Sequence, residues 1–415
     1  MLLHLFLLLH IPFKKYMILI LISFLVSCTY KTNHVDIGLF SEKLVTAVII
    51  EPENGKYEIR NDSSKLLTIQ ENEAIFAILD NGRIRISTSS QFIGIFKKIY
   101  IKEKLQNSSD FGKNIFRIKC LQPELEERSY CNNITLVGES NRLKIVNNVD
   151  ISKYIAGVIE CEGGPNAPLE FYKAQAIMAR TFLKANQKRH HKDGYQLCDN
   201  VHCQAYLHKS YNPQARKATN ETYNIIIMDT TGKPLVSAFH ANCGGETANS
   251  KMFWAKPKYY LKGIVDPWCI NTHQANWTKT IGINEWRIYL INNGININNN
   301  YSGFNFSQVK RKSHYRLAGD SLPLTKIRSD WDLKSTFFNI TQQGTFLILN
   351  GKGFGHGIGM CQEGGISMAR NKKTYKEILN FYFNNTKLVR IKDNATTNVS
   401  GDTDSFIKEV LNSEE

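Results

Sequence analysis

The sequence lacks the fingerprints of the common nucleotide-binding folds. In its most glycine-rich stretch, residues 351–359, every second residue is glycine. No Lys-Ser/Thr pair follows this stretch as in a P-loop, and the stretch does not match a dinucleotide-binding pattern. Alternating glycines instead favour a tight turn in which the backbone passes close to another group.

A long transmembrane run is also missing. The apolar segment 16–28 follows Lys14 and Lys15 and is too short to span a bilayer, which is typical of a signal peptide. The run Leu25-Val-Ser-Cys28 resembles a bacterial lipobox, in which the cysteine is lipidated. We therefore expect residues 1–28 to be a lipoprotein signal peptide and the protein to be exported and membrane-anchored through Cys28, facing the cell wall or periplasm. An uncleaved N-terminal anchor is the alternative.

No long basic block and no internal repeat is evident, although the chain is strongly basic. Lys and Arg number 52 against 37 Asp and Glu, which gives a net charge of +15. The densest basic stretch, residues 184–192, is interpreted as a solvated helix end. An exported protein does not meet nucleic acid, so we expect attraction to anionic wall polymers and lipid surfaces and no nucleic-acid partner.

Nine cysteines leave eight after Cys28, and an even number suits an oxidising compartment. Spacing suggests Cys120–Cys131 and Cys243–Cys269 as pairs, but spacing alone does not fix connectivity. A cysteine nucleophile at Cys161 or Cys361 is a further alternative; the sequence indicates no base arranged for either thiol.

Hydrophobic patterns divide the rest of the chain. Residues 29–145 read as strands, with Asn81-Gly82 between two apolar runs as a strong hairpin signal. Helix and strand patterns alternate over residues 146–390, and residues 391–415 are polar and read as a flexible tail. We predict an α+β protein with a smaller N-terminal β-rich module and a mixed catalytic domain.

One carboxylate lies between two predicted helices. Apolar spacing predicts a helix from Ile151 with Asp150 as its N-cap, and a second helix after Pro168, with residues 163–165 breaking the pattern. Glu162 is thus predicted just past the end of the first helix. Partial burial beside the negative end of a helix would raise the pKa of Glu162 and keep its proton available. A solvated glutamate in a turn is the alternative.

Four blocks in a fixed order resemble one family. They are Tyr154-x-x-Gly-Val-x-x-x-Glu162 with Lys173-Ala-Gln-Ala-x-x-Ala-Arg-Thr, His202-Cys-Gln-Ala-Tyr, Phe239-His-Ala-Asn-Cys-Gly-Gly-Glu-Thr, and Gly351-Lys-Gly-Phe-Gly-His-Gly-Ile-Gly-Met-Cys-Gln. The set resembles the stage II sporulation protein D (SpoIID-like) family, which includes amidase enhancers of the LytB type, over roughly residues 146–390. Ordered blocks are far more specific than a single motif.

The resemblance implies a lytic transglycosylase that cleaves peptidoglycan glycan strands. Its catalytic glutamate falls on Glu162 and not on Glu160. That residue would protonate the oxygen leaving N-acetylmuramic acid and then accept a proton from the sugar's 6-hydroxyl as a 1,6-anhydro ring closes. A hydrolase would need a second carboxylate, for which Asp199 and Asp266 are the candidates. Expected substrate-binding residues are Lys173, Gln175, Arg180, Gln204, Tyr206, Asn242, His356 and Gln362, each with a structural role as its alternative.

Cysteines and histidines cluster within residues 190–203. Thiolates with imidazoles are a zinc donor set, although the spacing is not that of a zinc finger. Some SpoIID-like proteins carry zinc near this block, which implies a structural zinc held by Cys198, His202 and Cys203 with His191, or else His190, as the fourth ligand. A Cys198–Cys203 disulfide and unrelated surface histidines are the alternatives.

Two other functions stay open at this point. The chain could be a glycan-binding enhancer that positions a partner cell-wall amidase and cleaves nothing itself. It could also be a zinc hydrolase that uses His202 and Cys198, in which case chelators would stop its activity.

Overall fold

The computed structural model describes residues 33–104, 113–298, 300–301 and 303–391. The predicted signal peptide and Cys28 lie outside the described residues, as does the predicted tail beyond residue 391. None of the helices within the described ranges is both long and apolar enough to cross a membrane.

The described part of the chain is a mixed α+β structure, which confirms the predicted class. Its strands are β1 (His34–Leu39), β2 (Ala47–Asn54), β3 (Lys56–Arg60), β4 (Lys65–Ile69), β5 (Ile75–Asp80), β6 (Arg83–Ser87), β7 (Phe92–Phe96), β8 (Lys98–Lys104), β9 (Ile115–Gln122), β10 (Arg128–Cys131), β11 (Asn133–Gly138), β12 (Leu143–Asp150), β13 (Leu197–Cys198), β14 (Ile225–Met228), β15 (Phe239–His240), β16 (Asn276–Gly282), β17 (His314–Leu317), β18 (Asp320–Pro323), β19 (Phe338–Gln343), β20 (Phe346–Lys352), β21 (Met360–Cys361) and β22 (Lys387–Arg390). Its helices are α1 (Ile151–Gly163), α2 (Leu169–Ala185), α3 (Pro213–Glu221), α4 (Ile283–Asn292), α5 (Leu324–Asp330), α6 (Gln362–Arg370) and α7 (Tyr375–Tyr382).

Two large sheets are formed mainly by the N-terminal strands. One has the order β13-β1-β12-β11-β8-β3-β4 and the other β10-β9-β2-β5-β6-β7. The predicted hairpin is confirmed: β5 and β6 pair with Asp80 opposite Arg83, and Asn81 and Gly82 have φ values of 49° and 73°. Positive φ at both positions matches the right-handed twist of the paired strands.

The two predicted helices are confirmed, with one difference at the end of the first. The Asp150 carboxylate accepts hydrogen bonds from the Ser152 and Lys153 N–H groups at 2.9 and 3.3 Å, so it caps α1 as expected. The helix continues to Gly163 and ends where Gly164 adopts a φ of 74°. Glu162 therefore lies in the last turn of α1, not past its end as predicted.

One hydrophobic core spans the boundary predicted at residue 145. Buried side chains of the N-terminal strands, such as Ile37 and Tyr130, belong to the same core as Tyr154 of α1 and Phe171 of α2. A second core lies within residues 277–349 and is centred on Trp286. The helices α1 and α2, which lie next to Glu162, thus pack against the N-terminal strands. The domain boundary itself stays a prediction.

The glycine-rich loop connects β20 to β21 and runs beside residues 238–245. A Cβ atom on Gly359 would lie 2.1 Å from the Ala238 carbonyl oxygen, and one on Gly353 would lie 2.4 Å from that of Asn242. Both glycines have positive φ. The close approach of two backbone segments that the sequence predicted is present, and β15 and β21 pair in parallel at its end.

Candidate active site

Glu162 is held at the end of α1 by a loop that is distant in sequence. Its Oε1 atom accepts a hydrogen bond from the Ala205 N–H at 2.9 Å, while the side chain is half-buried. Burial raises the pKa of Glu162, and the Ala205 N–H offsets part of that rise. Burial thus favours the protonated form of Glu162 more than it is favoured in an exposed glutamate, which is the direction needed in a proton donor.

Gln362 contacts the backbone at the same helix end. Its Nε2 atom donates a hydrogen bond to the Glu162 carbonyl oxygen at 3.1 Å. Gln362 is the first residue of α6, directly after the glycine-rich loop and β21. The bond pairs one of the last carbonyls of α1 and fixes the backbone that bears the carboxyl group.

Glu160 has a different role, although it lies two residues away. One of its carboxylate oxygens accepts hydrogen bonds from the Ser210 hydroxyl at 2.7 Å and from the Asn212 N–H at 2.9 Å. Asn212 in turn caps α3. Glu160 therefore anchors the segment that leads into α3, whereas the Glu162 side chain faces Ala205.

Gln204 and Tyr206 flank Ala205 and are buried. The Tyr154 hydroxyl donates to the side-chain amide oxygen of Gln204 at 3.4 Å, and the Tyr206 hydroxyl donates to that of Asn147 at 3.2 Å. The Tyr154 and Tyr206 rings pack edge to face at 5.0 Å. Both predicted site residues thus hold the loop in place around the Ala205 N–H, and direct contact with substrate stays a prediction.

The three predicted residues of α2 lie in separate environments. Lys173 forms ion pairs with Glu170 and Glu221, each at 2.7 Å. Gln175 is fully buried, and its side-chain amide has no hydrogen-bond partner among the described residues.

Arg180 donates to the carbonyl oxygens of residues 219, 222 and 225, and its burial lowers its pKa to about 10. Arg180 therefore caps the C-terminal end of α3, which is a structural role, and its part in substrate binding stays a prediction.

Replacing Arg180 with methionine should destabilise the protein by about 2–4 kcal/mol, because three carbonyl groups lose their donor in a buried place. Urea unfolding measures the change. Lys217→Met, on the exposed face of α3, is the control and should cost less than about 0.5 kcal/mol. Equal effects for the two variants would contradict the capping role.

Asn242 and His356 lie along the glycine-rich loop. The Asn242 amide donates to the Glu363 carboxylate at 2.6 Å and to the Thr272 hydroxyl at 2.8 Å, and its oxygen accepts from the Gly244 N–H at 2.7 Å. Asn242 is thus fully committed to internal bonds. Glu363, a residue that no motif indicated, is the acceptor at the centre of this network.

His356 is neutral and has a defined tautomer. Its Nδ1 atom accepts a hydrogen bond from the Ile358 N–H at 3.0 Å, so its proton is on Nε2. Burial, with Arg328 and Arg311 nearby, lowers the pKa of His356 to about 4. Its ring lies 5.5 Å from that of His240. His356 also has a hydrogen bond to the backbone of Phe239, and its low pKa disfavours a cationic role at neutral pH.

The two alternative carboxylates are both committed elsewhere. Asp199 accepts from the Phe40 N–H at 2.7 Å and pairs with Arg128 at 3.1 Å. Asp266 accepts from the Tyr382 hydroxyl at 2.8 Å and is fully buried. Neither Asp199 nor Asp266 is among the groups that shift the pKa of Glu162. These contacts give no support to a two-carboxylate arrangement around Glu162.

The eight described cysteines are free thiols. The predicted Cys120–Cys131 pair is wrong, because Cys131 lies opposite Ile115 in the β9–β10 ladder. The expectation that no base faces a candidate nucleophile is wrong for Cys161, whose sulfur lies 3.7 Å from His208 Nε2. Hydrogen bonding to Cys161 raises the pKa of His208 to about 9. Spacing alone could not reveal a contact between residues 47 positions apart.

Three of the four predicted metal-binding residues, Cys198, His202 and Cys203, lie close together, and His190 joins them in place of His191. One donor atom from each of His190, Cys198, His202 and Cys203 lies within 4.8 Å of every other. His191 is exposed and begins a short 3-10 turn, so the choice of His191 as fourth ligand is wrong and His190 takes that position. The turn directs two adjacent histidines in different directions, which the sequence does not show.

The residues of this cluster fit a zinc ion. His190 Nε2 is buried without a hydrogen-bond partner, while its Nδ1 is 2.8 Å from the Asp193 carboxylate, an arrangement that leaves Nε2 free to ligate. His202 Nδ1 lies 3.7 and 3.8 Å from the sulfurs of Cys198 and Cys203. Two thiolates and two imidazoles are a common structural zinc set. The cluster stands two residues before Ala205, the donor to Glu162.

Comparison with known proteins identifies a matching family model and several relatives of this chain. A family model described as SpoIID, Stage II sporulation protein, matches residues 139–228, which include Glu162 and the His190–Cys203 cluster. An uncharacterised protein of Brachyspira hyodysenteriae is 30% identical over 268 residues, covering 63% of this chain and 72% of that protein. The Stage II sporulation protein D of Bacillus subtilis is 26% identical over 261 residues, covering 59% and 75%. The Amidase enhancer of Bacillus subtilis is 25% identical over 289 residues, covering 56% and 40%.

Proposed function

Because the chain belongs to the SpoIID family, we propose that it acts on the cell wall as a lytic transglycosylase. Its substrate would be the peptidoglycan glycan strand, cut between N-acetylmuramic acid and N-acetylglucosamine. The observation that supports this most is Glu162, a half-buried carboxyl group with a raised pKa whose position is fixed from two sides, by Ala205 and by Gln362.

Glu162 performs both proton transfers in the proposed reaction. The neutral carboxyl gives its proton to the glycosidic oxygen, and the bond from that oxygen to C1 of N-acetylmuramic acid breaks. The electron pair leaves with the oxygen, and positive charge develops at C1. The carboxylate then takes the proton of the sugar's own 6-hydroxyl as that oxygen bonds to C1. Glu162 is protonated again at the end, and no water is consumed.

A single carboxyl group suffices for this sequence of steps. Hydrolysing glycosidases use two carboxyl groups at a defined separation, one of them for a water molecule or a covalent intermediate. The causes that set the pKa of Glu162 are burial and the hydrogen bond from the Ala205 N–H. Ring closure by the substrate's own hydroxyl is the chemistry that matches one such group.

The raised pKa of Glu162 predicts how activity depends on pH. The proton donor is lost as the pH rises through this pKa, so kcat/KM should fall about tenfold per pH unit on the basic side. The measurement is a profile of cleavage rate from roughly pH 5 to pH 9, with stability checked at each pH. A rate that stays constant over this range would contradict the role of Glu162 as acid.

A structural zinc is part of this proposal. The ion would be held by four residues, His190, Cys198, His202 and Cys203. It would cross-link the chain at this point. The cluster immediately precedes Gln204 and Ala205, so the ligands fix the loop whose N–H meets Glu162. In this role the metal takes no part in the chemical steps. It would keep the loop rigid, so that the Ala205 N–H stays in position to donate to Glu162.

The proposal also includes export and anchoring through a lipid on Cys28, with the cell wall as the site of action. The net charge of +15 favours attraction to anionic wall polymers and lipid headgroups. Labelling of growing cells with a radioactive fatty acid should mark the protein, and Cys28→Ala should not be labelled. Label that persists in the variant would contradict the anchor at this residue.

The enzyme proposal is tested on purified glycan. The full-length protein is incubated with glycan strands, with and without their stem peptides, and the products are weighed by mass spectrometry. Fragments with anhydro ends, lighter by one water than hydrolysis products, are expected from at least one preparation. Strands that are bound but left uncut in both preparations would contradict enzyme activity.

That contrary result would support the second candidate, a non-catalytic enhancer of a cell-wall amidase. One relative is named an Amidase enhancer, and this chain covers 40% of its length. An enhancer should accelerate an added amidase on intact peptidoglycan, and it should do so equally well as the Glu162→Gln variant.

A further inference from the structure

A second group of metal-binding side chains lies outside the site described above. Cys243, Asp266, Cys269 and Cys361 are all buried, and one donor atom of each lies within 4.8 Å of every other. They come from three segments: the turn after β15, the short 3-10 turn of residues 267–269 together with its N-cap Asp266, and the last residue of β21. Three thiols and one carboxyl group thus converge in the interior of the protein.

The donor atoms lie within 4.8 Å of one another, which is close enough for all four to share a single ion after the Cys243 and Cys269 sulfurs separate slightly. In a tetrahedral zinc site with Zn–S bonds of about 2.3 Å, neighbouring sulfurs stand about 3.8 Å apart. The Cys243 sulfur lies 3.2 Å from the Cys269 sulfur and 3.2 Å from an Asp266 oxygen. Ligands of an iron–sulfur cluster bind different iron atoms and must stand further apart. The group is therefore too compact for a cluster.

The surroundings of the group are those of a metal site. The Cys361 sulfur accepts hydrogen bonds from the Cys243 and Gly364 N–H groups, each at 3.3 Å. Asp266 is oriented by the Tyr382 hydroxyl at 2.8 Å and by the Trp268 N–H at 3.0 Å. Donors that hold and orient the ligands from outside are a regular feature of metal sites.

A buried cation stands next to the group and offsets its charge. Arg311 is 7% exposed and donates to the Cys243 carbonyl oxygen at 2.6 Å. Three thiolates and a carboxylate around a divalent ion have a net charge of −2, which a low-dielectric interior disfavours. The guanidinium group of Arg311 removes part of that charge.

We propose that Cys243, Asp266, Cys269 and Cys361 bind one zinc ion. Thiolates select zinc over the hard cations magnesium and calcium, and the single carboxylate is an ordinary zinc ligand. Binding releases the three thiol protons to solvent, and the ion replaces the hydrogen bond between Cys243 and Asp266. This inference goes beyond the proposed function and does not depend on it.

The ion would join the glycine-rich loop region to the rest of the protein. Cys361 immediately precedes Gln362, whose amide donates to the Glu162 carbonyl, and Cys361 is also the N-cap of α6. A metal bound here would fix the start of α6 relative to the segment around Cys243. The protein would then have two structural zinc sites, both of them next in sequence to residues that hold Glu162.

A disulfide between Cys243 and Cys269 is the competing outcome. It would need only two of the four groups and would not depend on the Asp266 carboxylate. Metal binding needs the carboxylate, so Asp266 separates the two possibilities.

The first test counts zinc in the purified full-length protein by atomic emission, after dialysis against a weak chelator. Asp266→Asn should contain one zinc per chain fewer than the unsubstituted protein. Cys120→Ser removes a buried thiol that lies outside both groups. It keeps all four ligands and should lose no zinc. An unchanged zinc count in Asp266→Asn would overturn the proposal.

The second test uses the unsubstituted chain and so does not depend on the variants folding. Removal of metal with a strong chelator should increase the rate at which N-ethylmaleimide modifies Cys243, Cys269 and Cys361 by at least about tenfold, and added zinc should reverse the change. Cys120 should react at the same rate throughout. Unchanged rates at the three cysteines, or a Cys243–Cys269 disulfide found by peptide mass, would overturn the proposal.

Discussion

Replacing Glu162 with glutamine should lower the rate of glycan cleavage by about 10²–10⁴-fold. Glutamine keeps the oxygen that accepts the Ala205 N–H, so the loop and the backbone should stay in place. What is lost is the proton that the leaving oxygen needs and the base that the 6-hydroxyl needs. Cleavage is measured from anhydro-ended products, and strand binding from co-sedimentation, which should be unaffected.

Glu160→Gln is the matched control on the same helix. Glutamine there still offers an oxygen to Ser210 and Asn212, so cleavage should continue. Cys161→Ser removes the thiol that faces His208 and should also leave cleavage intact. If Glu162→Gln stayed active while Cys161→Ser lost activity, the catalytic group would be the Cys161 thiol and not the Glu162 carboxyl.

Glu162→Gln should not lower the stability of the protein, although it lowers activity. A carboxyl group whose pKa is raised by folding stabilises the protein below its unfolded pKa, and this contribution is lost as the pH rises through the folded pKa. At neutral pH the ionised form of Glu162 is disfavoured by burial, whereas a glutamine has no such cost. The variant should therefore melt at the same temperature as the unsubstituted protein or higher.

Replacing His190 with alanine should remove the zinc of the His190–Cys203 cluster and lower cleavage by about 10–100-fold, since loss of the metal loosens the loop that holds Ala205. The readouts are zinc content and cleavage rate. Strand binding should weaken less than catalysis, because the loop acts on Glu162.

His191→Ala is the matched control for this prediction, because the neighbouring histidine is exposed and outside the cluster. It should keep its zinc and its activity. Loss of zinc in His191→Ala but not in His190→Ala would restore the ligand set predicted from sequence. In a zinc hydrolase, removing the metal with a chelator would abolish cleavage even if the loop kept its conformation. Such an enzyme would also remain active in the Glu162→Gln variant.

The turns and helix starts of this protein are well predicted from sequence, because each depends on residues that are adjacent in the chain. The N-cap at Asp150, the start of α2 after Pro168 and the Asn81-Gly82 turn each follow from the conformational preferences of a few adjacent residues. The requirement for glycine at Gly359 follows in the same way from a predicted close backbone contact. The predicted end of α1 is slightly too early, since helix ends are set by single residues such as Gly164.

The site is predicted only in part, because its geometry depends on distant contacts. Glu162 itself is identified by ordered motifs, but its partners Ala205 and Gln362 are 43 and 200 positions away. Arg180 belongs to a motif and nevertheless caps α3 from the interior. A motif marks which residues matter and does not say whether they meet substrate or support the fold.

The second cysteine group shows the same limit. Cys243 and Cys361 are 118 positions apart and become neighbours because β15 and β21 pair in parallel. Spacing suggests Cys243 and Cys269 as a disulfide pair, and the two sulfurs are adjacent, but the sequence does not show that Asp266 and Cys361 complete the group.

The source of the oxygen at the new sugar end tests the central claim most directly. Glycan strands are cleaved by the full-length protein in water labelled with heavy oxygen, and the products are weighed. Ring closure with Glu162 as both acid and base predicts anhydro ends without label, produced only while Glu162 is present. Reducing ends that contain one labelled oxygen would show that water is the nucleophile and would contradict ring closure.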